Sequence, residues 1–416
     1  MLDALKEFKA MKCGHIFSLV ALAVGLCIFT STVFAAEVNV YSYRKPKLID
    51  PMFAVFTQKT GIKVNSVYAK KGMLERLKQE GSNSPADLVF TVDIGRLTDI
   101  QNAGLTQAIQ SDELERDIPA QFREPNGHWF GLTSRARIIV ISVDRVGADD
   151  LKTYEDLTDA RWKGRICTRS GKHPYMVALT ASMIAHYGIE KAKDWLTGLK
   201  ANLARKPQGN DRAQVKAIKE GVCDVAVINH YYMAKMLKDP KQVSWAKAVR
   251  VIFPNQKDSR LLHRQGTHMN ISGVALTKHA PNRDAAIALM EFLASAEGQG
   301  MYAQKNGEYP VTPGAEWNDL QKSWGPFKQD ELALADIARN RAAATRMADE
   351  VGYNQKHSEW WLRASPSVLF PLAGGKRCSI FSPPGAVADN QVAVSDNNKI
   401  TFPTTPVHCL STVLNA

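Results

Sequence analysis

The chain has 416 residues, 45% of them hydrophobic and 23% charged. That balance excludes a disordered or fibrous chain and leaves room for two or more domains around a large core. The formal charge of +12 raises nucleic-acid binding, yet the basic residues are scattered among acidic ones, without an arginine-rich tract or nucleic-acid motif. A cleft that holds anions, or an acidic partner, accounts for the excess as well, and no nucleic-acid partner is expected.

Residues 1–35 read as a secretory signal: Lys6, Lys9 and Lys12, an apolar run from Ile16 to Phe29, and Val33-Phe34-Ala35 as a cleavage site. Met11 begins a more typical signal and is an alternative start. A membrane anchor is the rival reading, but the run is short for a span. A lipid anchor at Cys27 is disfavoured by Leu26 before it. Export to the periplasm is therefore expected. Cys13 and Cys27 leave with the signal, and Cys378 and Cys409 lie near the end. Cys167 and Cys223 remain in the body, where an oxidising compartment favours a disulfide over two buried thiols.

Val38 to Tyr43 alternates as a strand, a helical stretch follows from Leu48 to Gln58, and Ile62 to Tyr68 is a second strand, together a βαβ unit. Met73 to Gln79 reads as a short helix, Asp87 to Val92 as a strand, and Ile94 to Ala103 as a helix ended by Gly104. This alternation continues to about Tyr302 and predicts an α/β class with mostly parallel sheets. Two β-rich runs, Gly131 to Ile141 and His268 to Leu276, look like crossings between lobes. They divide the body into lobe 1 (36–137 and 268–312) and lobe 2 (138–267 and 313–353). Ile287 to Ala303 and Leu332 to Val351 read as amphipathic helices. Residues 354–416, with prominent Pro and Ser and no sustained period, read as an appended segment.

Val225 to Ile228 reads as a buried strand with Asn229-His230 at its carboxyl end, followed by Tyr231 and Tyr232. Open α/β sheets place ligand sites there, and at a strand-to-helix turn two adjacent phenols can converge. Phenolates are hard, anionic oxygen donors, which suit Fe3+; two packed aromatics are the plainer alternative. A second tyrosine follows another strand end, in Arg169-Ser170-Gly171-Lys172-His173-Pro174-Tyr175. Pro174 marks a helix start, so backbone N–H groups at Ser170 and Gly171 can receive an anion. Three phenolates neutralise Fe3+ and leave coordination positions open. Carbonate there would bring the net charge near −2 and require cationic or N–H donors nearby. Arg135, Arg137, Ser170, Gly171 and Asn229 are the candidates, with an inter-lobe ion pair the alternative for Arg135. His173, His230 and His268 fit structural roles better than ligand roles. The sequence has no zinc-protease, phosphate-loop, Cys-x-x-Cys or Gly-x-Ser-x-Gly motif, so an enzyme reading lacks a nucleophile or cofactor handle.

Phe130-Gly131-Leu132-Thr133-Ser134-Arg135-Ala136-Arg137, Arg169-Ser170-Gly171-Lys172, the run from Ala204 to Arg212, Asn229-His230-Tyr231-Tyr232, Asn270-Ile271-Ser272-Gly273 and Glu308-Tyr309-Pro310-Val311 together resemble the bacterial periplasmic ferric-ion-binding proteins, the soluble receptors of iron ABC importers. The resemblance runs from about Glu37 to Tyr353. It implies a two-lobe, type II periplasmic-binding-protein fold with hinge strands, a monomer that closes on one Fe3+ held by Tyr175, Tyr231 and Tyr232 and delivers it to a membrane permease. Many members carry a His-Tyr pair after the first strand, where this chain has Lys45 and Pro46. Neither suits Fe3+, which favours the three-tyrosine subclass with carbonate as synergistic anion. Tyr43 is a possible ligand from the first lobe, although core packing fits it better. The rival functions are a receptor for a polyamine, thiamine or phosphonate on the same fold, and a secreted hydrolase or transferase.

Overall fold

The computed structural model describes residues 36–257 and 266–355, together with the short strands 369–371 and 377–379. The signal expected over 1–35 and most of the segment from 356 onward lie outside the described residues. Elements run in chain order as β1 (Glu37–Ser42), α1 (Pro46–Thr60), β2 (Lys63–Tyr68), α2 (Met73–Glu80), β3 (Leu88–Thr91), α3 (Ile94–Asn102), α4 (Asp112–Asp117), β4 (Phe130–Ser142), β5 (Ile166–Cys167), α5 (Pro174–Tyr187), α6 (Ile189–Ala201), α7 (Asp211–Lys219) and β6 (Val225–Asn229). They continue as α8 (Tyr231–Leu237), α9 (Val243–Lys247), β7 (Val249–Ile252), β8 (Met269–Leu276), α10 (Arg283–Ala294), α11 (Ala296–Asn306), β9 (Tyr309–Pro310), α12 (Asp319–Trp324) and α13 (Leu334–Glu350).

The sheet is mixed rather than mostly parallel. β1 pairs in parallel with β2 and β3, and β5 with β6, as the βαβ pattern requires. β4 and β8 instead run antiparallel to each other and to their other partners, because these strands carry the chain between lobes and need no crossover helix. All 13 residues of β4 are buried. It pairs with β8 through Ala136 and with β6 from Arg137 onward, so the strand passes from one lobe's sheet into the other between those two residues. Arg135 and Arg137 flank that switch, opposite Asn270 and Asn229.

Local chemistry fixes the elements around the cleft. Helix α1 starts with Pro46, where a missing N–H is harmless, and ends at Gly61 in the left-handed region (φ 73), which glycine adopts without strain. The helix read over 287–303 is two helices. Ser295 is extended (ψ 159) and its hydroxyl accepts the Gly298 N–H, which ends α10 and caps α11. Helix α13 packs along α5 and also touches α3. Its C-terminal end is fastened to lobe 2 by Lys172–Asp349 (2.7 Å), Lys193–Glu350 (3.0 Å) and a Lys200 bond to the Val351 carbonyl (2.7 Å). Cys167 and Cys223 are joined in a disulfide with Cα atoms 5.9 Å apart, tying the end of β5 to the entry of β6.

Candidate functional site

Two strand ends carry the tyrosines to one place. After β5 the chain turns through 168–173, and the His173 ring accepts the Tyr175 N–H (3.2 Å) as the cap of α5, with Pro174 at its first position. After β6, His230 leads into α8, whose first two residues are Tyr231 and Tyr232. The phenol oxygens of Tyr175 and Tyr231 lie 3.2 Å apart. The Tyr231 and Tyr232 rings stack with centroids 4.3 Å apart. Tyr231 is 5% exposed, while Tyr175 and Tyr232 are half-buried. Burial, reinforced by the Tyr175 and Tyr232 phenols, pushes the Tyr231 hydroxyl well above its ordinary pKa. Burial, with Tyr175 and Asp211 nearby, raises Tyr232 to about 12. These two phenols are therefore neutral at physiological pH. Among the described residues no three His, Cys, Asp or Glu side chains group to hold a metal.

Cations crowd the same point. The guanidinium carbons of Arg135, Arg137 and Arg169 lie 5.6, 5.8 and 5.1 Å from the Tyr175 ring centre. The Lys235 ammonium stands 4.5 Å from the Tyr231 ring centre. Arg135 bonds the Val92 and Ile271 carbonyls, which ties the switch strand to lobe 1. Arg137 donates to Asp211 (3.2 Å) and Asn229 (3.0 Å). Nε of Arg135, Arg137 and Arg169 and Nδ2 of Asn229 are all buried, without a hydrogen-bond partner among the described residues. Buried donors without acceptors are unfavourable, and four of them beside one tyrosine cluster are what an anion would satisfy.

The structure sorts the other expected residues differently. The Gly171 N–H donates to Asn354 Oδ1 (3.0 Å), and a Cβ there would fall 2.7 Å from the Tyr353 ring. This glycine admits the segment after α13, and its N–H, expected to face an anion, is bonded to Asn354. The Ser170 hydroxyl accepts the Lys172 N–H (3.2 Å) and its carbonyl the His173 N–H (2.9 Å), so both oxygens serve the turn, while the anion role expected of Ser170 rests on its backbone N–H. Tyr43 is buried beneath Arg96 and its hydroxyl accepts the Leu74 N–H, so it packs in lobe 1. His230 is structural: Nδ1 accepts from Ala136 N–H (3.1 Å) and Nε2 donates to the Gly307 carbonyl (2.9 Å). Sequence reading missed Arg169 as a site residue, and with it Asp211 and Lys235. Arg169 stood inside a quoted motif, beside the turn that received the anion role. Arg44, Glu308 and Thr133 form a buried cluster nearby, with Arg44–Glu308 at 3.0 Å and a Thr133 hydroxyl bond to the same carboxylate.

Two lobes joined by buried hinge strands, with polar groups converging where the strands cross, define a periplasmic-type solute-binding protein. The chain belongs to the bacterial extracellular solute-binding protein family, which it matches over residues 83–329. It is 42% identical to iron uptake protein A1 of Synechocystis, over 76% of this chain and 87% of that one. Among solved structures it is similar to the ferric iron-binding protein A of Mannheimia haemolytica in an open conformation (54% identity, TM-score 0.73, covering 77% of this chain and 100% of that one). It is also similar to a Trichodesmium protein solved with iron and citrate ligands (40% identity, TM-score 0.73, covering 76% and 100%). Among the described residues no helix is long and apolar enough to cross a membrane.

Proposed function

We propose that the protein is an exported receptor that captures Fe3+ in the cleft between lobe 1 (36–137 and 268–312) and lobe 2 (138–267 and 313–353). In this reading it works in the periplasm and hands the ion to the permease of an ABC importer. Tyr175, Tyr231 and Tyr232 supply three phenolates, and a small anion completes the coordination. The observation that carries the reading is the 3.2 Å approach of the Tyr175 and Tyr231 oxygens beside four buried donors without acceptors among the described residues. Iron named in the relatives supports it. The ion replaces phenolic protons, so binding releases protons and weakens in acid. Carbonate is the anion this reading prefers, received by Arg135, Arg137, Arg169 and Asn229; citrate, present in one relative's structure, is its competitor.

A receptor for an organic ligand on the same fold is the second reading, and the electrostatics divide it. Polyamines and thiamine are cationic, and they would meet Arg135, Arg137, Arg169 and Lys235 around the tyrosines. Only an anionic ligand such as a phosphonate suits that field. Visible absorption of the protein titrated with ferric nitrilotriacetate in bicarbonate decides the matter. A phenolate-to-iron charge-transfer band that disappears or shifts in Tyr231→Phe is expected, and a flat titration with tight phosphonate binding would replace iron with the organic ligand.

A further inference from the structure

Asp211 has no evident duty as a ligand, yet it is completely buried at the start of α7. Its carboxylate lies between two of the cations that surround Tyr175, 3.2 Å from Arg137 Nη1 and 3.6 Å from Arg169 Nη1. Each arginine belongs to a different chain segment, Arg137 to β4 and Arg169 to the turn after β5. Through Arg137 the same network reaches Asn229 Oδ1 (3.0 Å) on β6 and Met176 Sδ (3.5 Å) beside Tyr175. The backbone that presents Asp211 is itself fixed. The Asn210 side chain accepts the Ala213 N–H (3.1 Å), and buried Gln214 donates to the Gln208 and Asn210 carbonyls (2.6 and 3.0 Å). An acidic residue in a helix's first turn is ordinary by itself. What is not ordinary is that Arg137 hydrogen-bonds this carboxylate, Arg169 faces its other oxygen as an ion pair at 3.6 Å without a hydrogen bond, and both guanidiniums keep a buried Nε without a partner among the described residues.

The geometry points to Asp211 as the positioning residue of the anion subsite: by engaging the Nη atoms of Arg137 and Arg169, it holds their free Nε–H edges for the anion bound with iron. The assignment rests on the iron reading above and deepens it. Two accounts of Asp211 predict opposite signs. If it merely adds negative charge, removing it makes the pocket more cationic and tightens anion binding. If it positions the guanidiniums, removing it lets them rotate toward other partners and weakens anion binding, although the pocket gains positive charge.

The test titrates the full chain with ferric nitrilotriacetate at graded bicarbonate and reads the charge-transfer band, well below each variant's melting temperature. Asp211→Asn, which keeps the shape and removes the charge, is expected to raise half-saturating bicarbonate about tenfold or more and to move the band. Arg169→Lys, at a less buried position, keeps the charge and loses the fork, so it should shift bicarbonate dependence in the same direction. The double variant should be little worse than either single one, because both changes break one contact. Bicarbonate dependence that is unchanged or tighter in Asp211→Asn, or additive effects in the double variant, would overturn the assignment. Wild-type protein that gives no band at any bicarbonate level would overturn the iron reading, and this assignment with it.

Discussion

The Tyr175 and Tyr231 hydroxyl oxygens approach to 3.2 Å, although the two residues begin different helices after different strands. Without metal, one hydroxyl of the pair donates its hydrogen to the other oxygen. A trivalent cation at that point replaces a weak hydrogen bond with two strong ligand bonds. Tyr231→Phe should therefore lower iron affinity by more than roughly 100-fold, beyond the range typical for groups one contact removed from a metal. The fold should barely change, by about 1 kcal/mol or less, because a single neutral hydrogen bond contributes that much. Competition titration against nitrilotriacetate and urea denaturation of the apo-protein measure the two quantities.

Much of this arrangement was legible in the sequence, and the rest was hidden for identifiable reasons. The run from Gly131 to Ile141 announced a crossing strand, and the strand-to-helix turns announced where Tyr175 and Tyr231 would lie. Periodicity could not show that β4 runs antiparallel to β6 and β8, since pairing direction leaves no mark in alternation. Nor could it show that Gly171 makes room for Tyr353, a neighbour supplied by the far end of the body. Asp211 and Arg169 escaped because a buried ion pair between distant segments has no local pattern, whereas a tyrosine doublet does.

Acid should loosen the hinge through His230. Burial holds this imidazole at about 4, below the ordinary histidine value near 6.5, and its Nδ1 is occupied as acceptor for the Ala136 N–H. The unfolded chain takes up a proton as pH falls through about 6.5, while the folded chain refuses it until about 4. Stability is thus unaffected above the upper value and declines across that window, by on the order of 3 kcal/mol. His173, held at about 3 by burial and by Arg169, Arg137 and Arg96, acts in the same direction. Urea midpoints from pH 7 to 4 should fall in the wild type and fall less steeply in His230→Gln; equal slopes would remove His230 from the account.

Glu308 acts in the same direction at lower pH. Burial alone would raise its pKa, but Arg44, Arg135, the Thr133 hydroxyl and Lys235 outweigh that and hold it at about 2. A depressed carboxyl stabilises the fold fully above its unfolded value near 4.3, and the contribution disappears as pH falls through about 2. Glu308→Gln strands the buried Arg44 guanidinium, whose Nε and Nη1 already lack partners among the described residues. A loss of about 3–5 kcal/mol at pH 7 is expected, read by urea denaturation. A variant as stable as the wild type would show that Arg44 finds another acceptor.

The Cys167–Cys223 bridge separates stability from function. It closes a loop with a sequence separation of 56, and chain entropy alone assigns such a loop about 4 kcal/mol of stabilisation. The phenols, however, are placed by strand pairing that persists without the bridge, Ile166 with Val225 and Cys167 with Ala226. A Cys167→Ser, Cys223→Ser double variant should therefore unfold at clearly lower urea, by a few kcal/mol in total. Below its transition it should still give the same charge-transfer band with ferric iron and bicarbonate. Coincident denaturation curves would show that the unfolded chain is held compact without the bridge, and a lost band in folded protein would show that the covalent tie, rather than the β5–β6 register, sets the distance between Tyr175 and Tyr231.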